Sequence, residues 1–303
     1  MGVLEGRVAI VTGAGRGLGR AHALLLAAEG ARVVVNDRGV GVDGGDGGPS
    51  PADEVVAEIR RLGGRAVAST DDVSDFEAGR RLVGTALEAF GALHVLVNNA
   101  GILRDRALVR MSEEDFDSVV SVHLKGHFVP TRFAAEHWRA EAKAGRRVEA
   151  AVVNTTSTSG LIGNPGHAHY GAAKAGVAAF TLICAQELAR YGVRVNAVSP
   201  VARTRMTDTL PSLAKLLEAP ADPEVFDVWD PANVSPLVAY LASAGCPVTG
   251  RVFSAQGGRI QVFEPWALGA KVEKAGRWTV EELAEAIPPL VGGPPVSRAR
   301  AAP

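Results

Sequence analysis

A chain of 303 residues with 47% hydrophobic side chains can bury a substantial core, as one large α/β domain or two small ones. Its 32 basic and 33 acidic residues leave a net charge of −1 with the signs interspersed, which sets aside a nucleic-acid or other polyanionic partner. No apolar run reaches the roughly 18 residues of a membrane helix, the N-terminus lacks the charged lead and cleavage site of a signal peptide, and Cys184 and Cys246 show no metal-ligand spacing, so reduced thiols in a cytoplasmic protein are expected.

Residues 7–12 form a short apolar, β-branched run, and GAGRGLG followed by an Ala/Leu-rich stretch reads as strand, tight turn and helix. A second apolar run at 31–37 begins directly after Gly30, and further strands are expected at 66–69, 94–99, 150–155, 193–198 and near 251–255, with helical segments between them. Such alternation implies an α/β fold, a doubly wound parallel sheet of seven strands with right-handed crossovers, over residues 1–257. Residues 258–303 read as a C-terminal extension, in which Thr279 and Glu282 make a capping-box pattern for a helix reaching about Ile287 and the final stretch is loose.

The turn does not follow the GxGxxG dinucleotide fingerprint, because position 18 is Leu; the glycines at 13, 17 and 19 match GxxxGxG instead. That turn still lets backbone approach a pyrophosphate at a helix N-terminus, where free N–H groups and the helix dipole favour an anion. Asp37 ends the second strand, where a carboxylate accepts both hydroxyls of an adenosine ribose and repels a 2′-phosphate. Arg16 and Arg38 argue the other way, since a guanidinium there would welcome that phosphate. The glycine-rich stretch from Gly39 reads as a loop beside the adenosine. Asp72 and Val73 after the third strand, and Asn99, Ala100 and Gly101 after the fourth, are placed to meet an adenine edge and a ribose, or are ordinary loop residues.

The chemistry is concentrated in 154–174, NTTSTSGLIGNPGHAHYGAAK. Tyr170 and Lys174 lie four apart at the head of an Ala-rich helix, so they share a face. An ammonium beside a phenol favours the phenolate, which would bring Tyr170 from its free value of about 10 towards neutrality. Ser157, returned beside them by the Gly and Pro between, would hold a carbonyl or alkoxide oxygen. His167 and His169 do not share a helix face and have no acidic or Cys companions, so no metal site is expected.

With TGAGRGLG, Asp37, 98–101 and Ser157/Tyr170/Lys174 in order on one α/β pattern, the sequence resembles the short-chain dehydrogenase/reductase family from residue 7 to about 257, and hence a Rossmann-like fold. The resemblance implies Tyr170 as acid/base, Lys174 tuning it and holding a nicotinamide ribose, and Ser157 positioning the substrate oxygen. It implies NAD contacts from Gly13, Arg16, Gly17, Leu18, Gly19, Asp37, Asp72, Val73, Asn99, Ala100, Gly101, Tyr170, Lys174 and the backbone near Val201. VNDRG, NNAGILRDR, VHLKGHF, RMT and the tail from Arg259 look like the (3R)-hydroxyacyl-CoA dehydrogenase part of peroxisomal multifunctional enzymes. A secondary alcohol oxidised to a ketone, with a (3R)-hydroxyacyl-CoA as substrate, is therefore expected; a hydroxysteroid, a 3-oxoacyl group on another carrier, or a non-catalytic dinucleotide sensor are the alternatives. Arg104, Arg106, Arg203 and Arg205 as a group favour an anionic substrate.

Two departures stand out. His123 replaces the family's Asn, whose place is at a water leading from the active-site Lys, and it either takes over that task or faces the core. Val201 replaces a Gly after Pro200. By position, 204–230 matches the family's substrate lid. The helix from Tyr170 is apolar almost all round, which with the resemblance implies a homodimer or homotetramer.

Overall fold

The computed structural model describes residues 2–39, 50–203, 217–222, 224–264 and 266–291. Most of the glycine-rich stretch (40–49), most of the expected lid (204–216 and 223) and the last residues (292–303) lie outside the described residues.

The apolar, β-branched runs become strands, the central ones buried on both faces as a parallel sheet requires. The strands are β1 (Val8–Thr12), β2 (Arg32–Asn36), β3 (Arg65–Ser69), β4 (Val95–Asn98), β5 (Ala150–Thr155), β6 (Val193–Pro200), β7 (Val252–Gln256) and the exposed edge strand β8 (Arg259–Phe263). One sheet contains them in the order β3-β2-β1-β4-β5-β6-β7-β8. Every pairing up to β6 with β7 is parallel, and β8 returns antiparallel along β7.

The sheet thus has one strand more than the seven expected, and the extra one lies in the stretch read as extension. Gln256 pairs with Arg259 across Gly257 and Gly258, and Gly257 has a φ of 51°, the left-handed backbone of a tight hairpin. Compactness divides the chain after Phe263, so residues 1–263 form one unit and 264–303 a second. Within that second unit α9 (Val280–Leu290) starts at the Thr279/Glu282 capping box that the sequence predicts.

Successive strand residues face opposite sides of the sheet. Ala9 and Val11 pack with α1 (Gly17–Ala28), α2 (Pro51–Arg61) and α8 (Ser235–Ala242) on one face. Val8 and Ile10 join α3 (Phe76–Phe90), α5 (Gly126–Lys143) and α7 (Ala168–Leu188) on the other. By length and composition α7 with its continuation to Tyr191 could cross a membrane, but Val177, Cys184, Ala185 and Leu188 are buried within this fold. Strand order reverses at β1, which lies between β2 and β4, and in doubly wound sheets ligands bind in the crevice beyond the carboxyl ends at that point.

Buried His22 joins α1 to α8 through its Nδ1, 2.8 Å from the Ser235 hydroxyl. Burial lowers its pKa to about 4. The unfolded chain binds a proton at that ring below about 6.5 and the native protein does not, so stability is lost as pH falls from 6.5 towards 4. Urea unfolding across that window should show His22 contributing up to about 1.4 kcal/mol per pH unit, and H22N should flatten the dependence by that amount. An identical slope in H22N would mean the ring is not held neutral.

Candidate active site

The turn after β1 is shaped by space. Gly13 and Gly17 have φ of 61° and 53°. A Cβ on Gly13 would lie 2.7 Å from the Ala100 Cα, and one on Gly19 would lie 2.1 Å from the Gly13 carbonyl oxygen. Asn99 ties this turn to the end of β4: its Nδ2 donates to the carbonyls of Thr12 (3.0 Å) and Gly13 (3.1 Å). The Thr12 hydroxyl accepts from the N–H groups of Asn99 (2.9 Å) and Ala100 (3.1 Å).

Arg16, the N-cap residue of α1, makes no side-chain cap bond, and the first turn of α1 holds no acidic residue, so the positive end of the helix dipole is open to an anion. Asp37 accepts from the N–H groups of Gly15 and Gly39, each at 2.9 Å. Arg38 pairs with Asp72 at 2.7 Å, and the other Asp72 oxygen accepts from the Ser74 N–H and hydroxyl. A cradle closed to any Cβ, an uncapped helix start and a carboxylate at the tip of β2 fit the pyrophosphate and ribose of a dinucleotide.

Every catalytic and cofactor-binding residue expected from the sequence except Gly19 lines one cleft of about 580 Å³; Gly19 lies buried beneath the turn. Ser157 begins the short α6 (Thr158–Leu161), its hydroxyl accepting from the Ser159 N–H at 3.2 Å. Tyr170 and Lys174 lie in the first two turns of α7, on one face. Lys174 is fully buried, and its Nζ donates to the Thr155 carbonyl at 2.6 Å.

The electrostatics differ from the expectation that Lys174 alone brings the phenol towards neutrality. Tyr170 is pushed above its ordinary value, chiefly by burial and also by the Asp105 carboxylate, while its hydrogen bond with Ser157 pulls down. Burial lowers Lys174 to about 7. Its Nζ is directed at a backbone carbonyl and lies 5.7 Å from the Tyr170 ring centre, so desolvation of both groups outweighs their attraction.

His123 is at once core-facing and part of the cleft wall. It sits in a π-helical turn, Ser121–Lys125, between α4 (Glu113–Val120) and α5. Its Nε2 is 2.7 Å from the Ile102 carbonyl, its buried Nδ1 has no hydrogen-bond partner among the described residues, and its ring meets Tyr170 edge-on at 5.0 Å. Burial, with Lys174 nearby, lowers it to about 3, so the ring is neutral.

Three cleft or cleft-floor residues escaped the sequence reading. Asp105 pairs with His167 Nε2 at 3.2 Å, and His167 Nδ1 faces the Ser159 hydroxyl at 3.1 Å and the Asn164 amide at 3.0 Å. His169 Nε2 is 2.7 Å from the Arg104 carbonyl. The paired histidines were the visible signal, considered only as metal ligands. The arginine group does not gather as expected: Arg106 faces Asp115 at 3.7 Å, Arg203 pairs with Asp227, Arg205 lies outside the described residues, and of the four Arg104 lines the cleft.

The glycine geometry has a direct consequence. Gly19→Ala should destabilise the protein by about 1–3 kcal/mol and abolish tight dinucleotide binding, because backbone must shift to admit the methyl group. Gly84→Ala, in α3 with only Glu88 within 4 Å of the added carbon, should be neutral or stabilising by up to about 1 kcal/mol. Thermal unfolding and NADH fluorescence titration check both; equal effects would refute the close-packing argument.

Residues 7–214 match the short chain dehydrogenase family. The chain is 43% identical over 284 residues to a hydroxyacyl-CoA dehydrogenase, ChsB1, of Mycobacterium tuberculosis, covering 92% of this chain and 87% of that one. It is 44% identical over 272 residues to peroxisomal multifunctional enzyme type 2 of Mus musculus, where 89% of this chain covers 34% of the longer protein. The crystal structure of a short chain dehydrogenase from Mycobacterium avium superposes with a TM-score of 0.87 at 52% identity, covering 97% of this chain and 98% of that one.

Proposed function

The chain belongs to the short-chain dehydrogenase family, and from that premise we propose that it oxidises the secondary alcohol of a (3R)-hydroxyacyl-CoA to the ketone with NAD as acceptor. The observation that carries this reading is that one cleft has a glycine cradle and Asp37 at one end and Ser157, Tyr170 and Lys174 at the other. The similarity to a hydroxyacyl-CoA dehydrogenase along nearly the whole of both chains supports the substrate class.

When bound, NAD would supply a hydride acceptor for the carbinol carbon. The N–H groups at the start of α1 would hold its pyrophosphate, and Asp37 would accept its adenosine ribose hydroxyls while disfavouring a 2′-phosphate. Arg38 is already paired to the Asp72 carboxylate, so its charge is partly neutralised, which supports NAD over NADP. Ser157 orients the substrate oxygen and Tyr170 takes its proton. A charged Lys174 stabilises the phenolate that accepts this proton, and its carbonyl partner Thr155 keeps the amine at the floor of the cleft.

An assay panel of (3R)-hydroxyacyl-CoAs and hydroxysteroids, each with NAD and NADP, tests the whole reading. The CoA thioesters with NAD should give the highest kcat/KM, D37S should erode the cofactor preference, and Y170F should lose about 10²–10⁴-fold in kcat while still binding NAD. A preference for an uncharged hydroxysteroid would overturn the substrate; better use of NADP would overturn the role of Asp37; near-normal turnover in Y170F would move the chemistry elsewhere.

The same premise supports a homodimer or homotetramer. On the outer side of α7 Ile183 is 53% exposed, and Phe180 meets Phe128 of α5, itself 40% exposed. Such adjoining apolar side chains are suited to a second copy. Light scattering at micromolar concentration should give a multiple of 31.4 kDa, and a monodisperse particle of that mass would exclude assembly.

A further inference from the structure

We propose that His127 is a positioning residue: it holds the Thr155 peptide in the orientation that fixes Lys174, and so sets the place and charge of the cleft's ammonium. This rests on the reading of Lys174 as part of the catalytic machinery.

β4 and β5 end unevenly beside the cleft. Asn98, the last residue of β4, pairs with Asn154, but β5 runs on to Thr155. The Thr156 N–H donates to the Val198 carbonyl of β6 at 2.8 Å. Backbone groups alternate along a strand, so the N–H and C=O of Thr155 both face β4. In the Asn98–Asn154 register the Thr155 N–H lies opposite the last carbonyl of β4, the Thr155 C=O has run past that strand, and side chains reach both. His127 Nε2 accepts from the Thr155 N–H at 3.3 Å, and Lys174 Nζ donates to the Thr155 C=O at 2.6 Å.

An N–H requires an acceptor, so Nε2 of His127 carries no hydrogen and the neutral ring carries it on Nδ1, with the backbone of His123 one turn back in the π-helical segment favouring a donor there. One neutral tautomer therefore satisfies both contacts and links the turn that carries His123 to the end of β5. The Thr156 hydroxyl donates to the Lys174 carbonyl at 2.7 Å, holding the helix side of the same junction.

Protonation would place a second hydrogen against the Thr155 N–H and a charge near Lys174. Burial first, then Lys174 and His123, hold His127 well below the ordinary histidine range, and the ring is 1% exposed. The titratable groups around it are Lys174 from α7 and His123 from the π turn. Its role is hence geometric, exerted on Lys174 through the Thr155 peptide. Without His127 the Thr155 N–H has only the last carbonyl of β4 opposite it, so that peptide turns more freely, and an ammonium that loses its carbonyl loses stabilisation of its charged form.

The test uses the full chain without ligand, so that it does not depend on which alcohol is the substrate. NMR of ¹³Cε-labelled lysine should show Lys174 titrating near 7 in the native protein and in H127Q, which retains an acceptor. In H127F its midpoint should fall by about half a pH unit or more. With the preferred alcohol, H127F should lose about tenfold in kcat at little change in its KM, and its alkaline limb should move to lower pH, with H127Q restoring both. A folded H127F with native Lys174 titration overturns the proposal whatever its activity. Absence of turnover on hydroxyacyl-CoAs alongside a shifted Lys174 would instead overturn only the substrate. Should H127F not fold, ¹⁵N-histidine NMR of the native protein decides: a hydrogen on Nδ1 of His127 is required, and one on Nε2 refutes the arrangement.

Discussion

A primary amine left 2% exposed at the carboxyl edge of a parallel sheet is the constraint on which this site depends. A buried ammonium without a partner costs several kcal/mol, and such groups either acquire acceptors or give up their proton. Lys174 does some of each: it has the Thr155 carbonyl, and its pKa still falls to about 7. Lys174 can have that carbonyl because β5 outruns β4 by one residue and the Ala100 N–H beyond β4 turns to the Thr12 hydroxyl, which leaves the Thr155 carbonyl with no strand partner. The sheet's uneven edge and the depth of α7 are thus parts of one arrangement.

That edge is held in register by buried polar contacts. The Asn98 amide donates to the Asn154 side chain and to the Thr131 hydroxyl, each at 2.9 Å, and Asn154 donates to the Thr181 hydroxyl at 2.9 Å. These contacts join β4 to β5, β4 to α5, and β5 to α7. An apolar substitute would pack there equally well, but hydrogen-bonded polar groups accept only one sliding position of strand on strand. Chemistry at the strand ends needs that uniqueness, since Thr155 and Ser157 follow directly after Asn154.

The parts of the site legible in the sequence are those set by local chain geometry. Glycines without room for a Cβ, an acidic residue ending β2 and the four-residue spacing of Tyr170 and Lys174 each have a meaning within one turn or one helix. β8 was missed because its five residues resemble a linker until the Gly257–Gly258 hairpin gives them β7 as a partner. Asp105, His127 and His169 were missed as supports for the site because their partners are distant in sequence. The assumption that Lys174 lowers Tyr170 failed for a related reason: spacing gives proximity, but desolvation is a property of everything packed around a group.

The opposite shifts of the two groups couple binding to charge. Tyr170 is held above its ordinary value and Lys174 below, so the ligand-free cleft favours an uncharged phenol and, above pH of about 7, an uncharged amine. Any ligand whose hydroxyl groups accept hydrogen bonds from Lys174 binds its protonated form more tightly. By linkage the same ligand raises the Lys174 pKa by the corresponding free energy. A recharged Lys174 then favours the phenolate of Tyr170, which burial alone disfavours. A ligand that recharges Lys174 thereby also favours the phenolate, and the depth that disfavours charge in the empty cleft is what makes the response to such a ligand large.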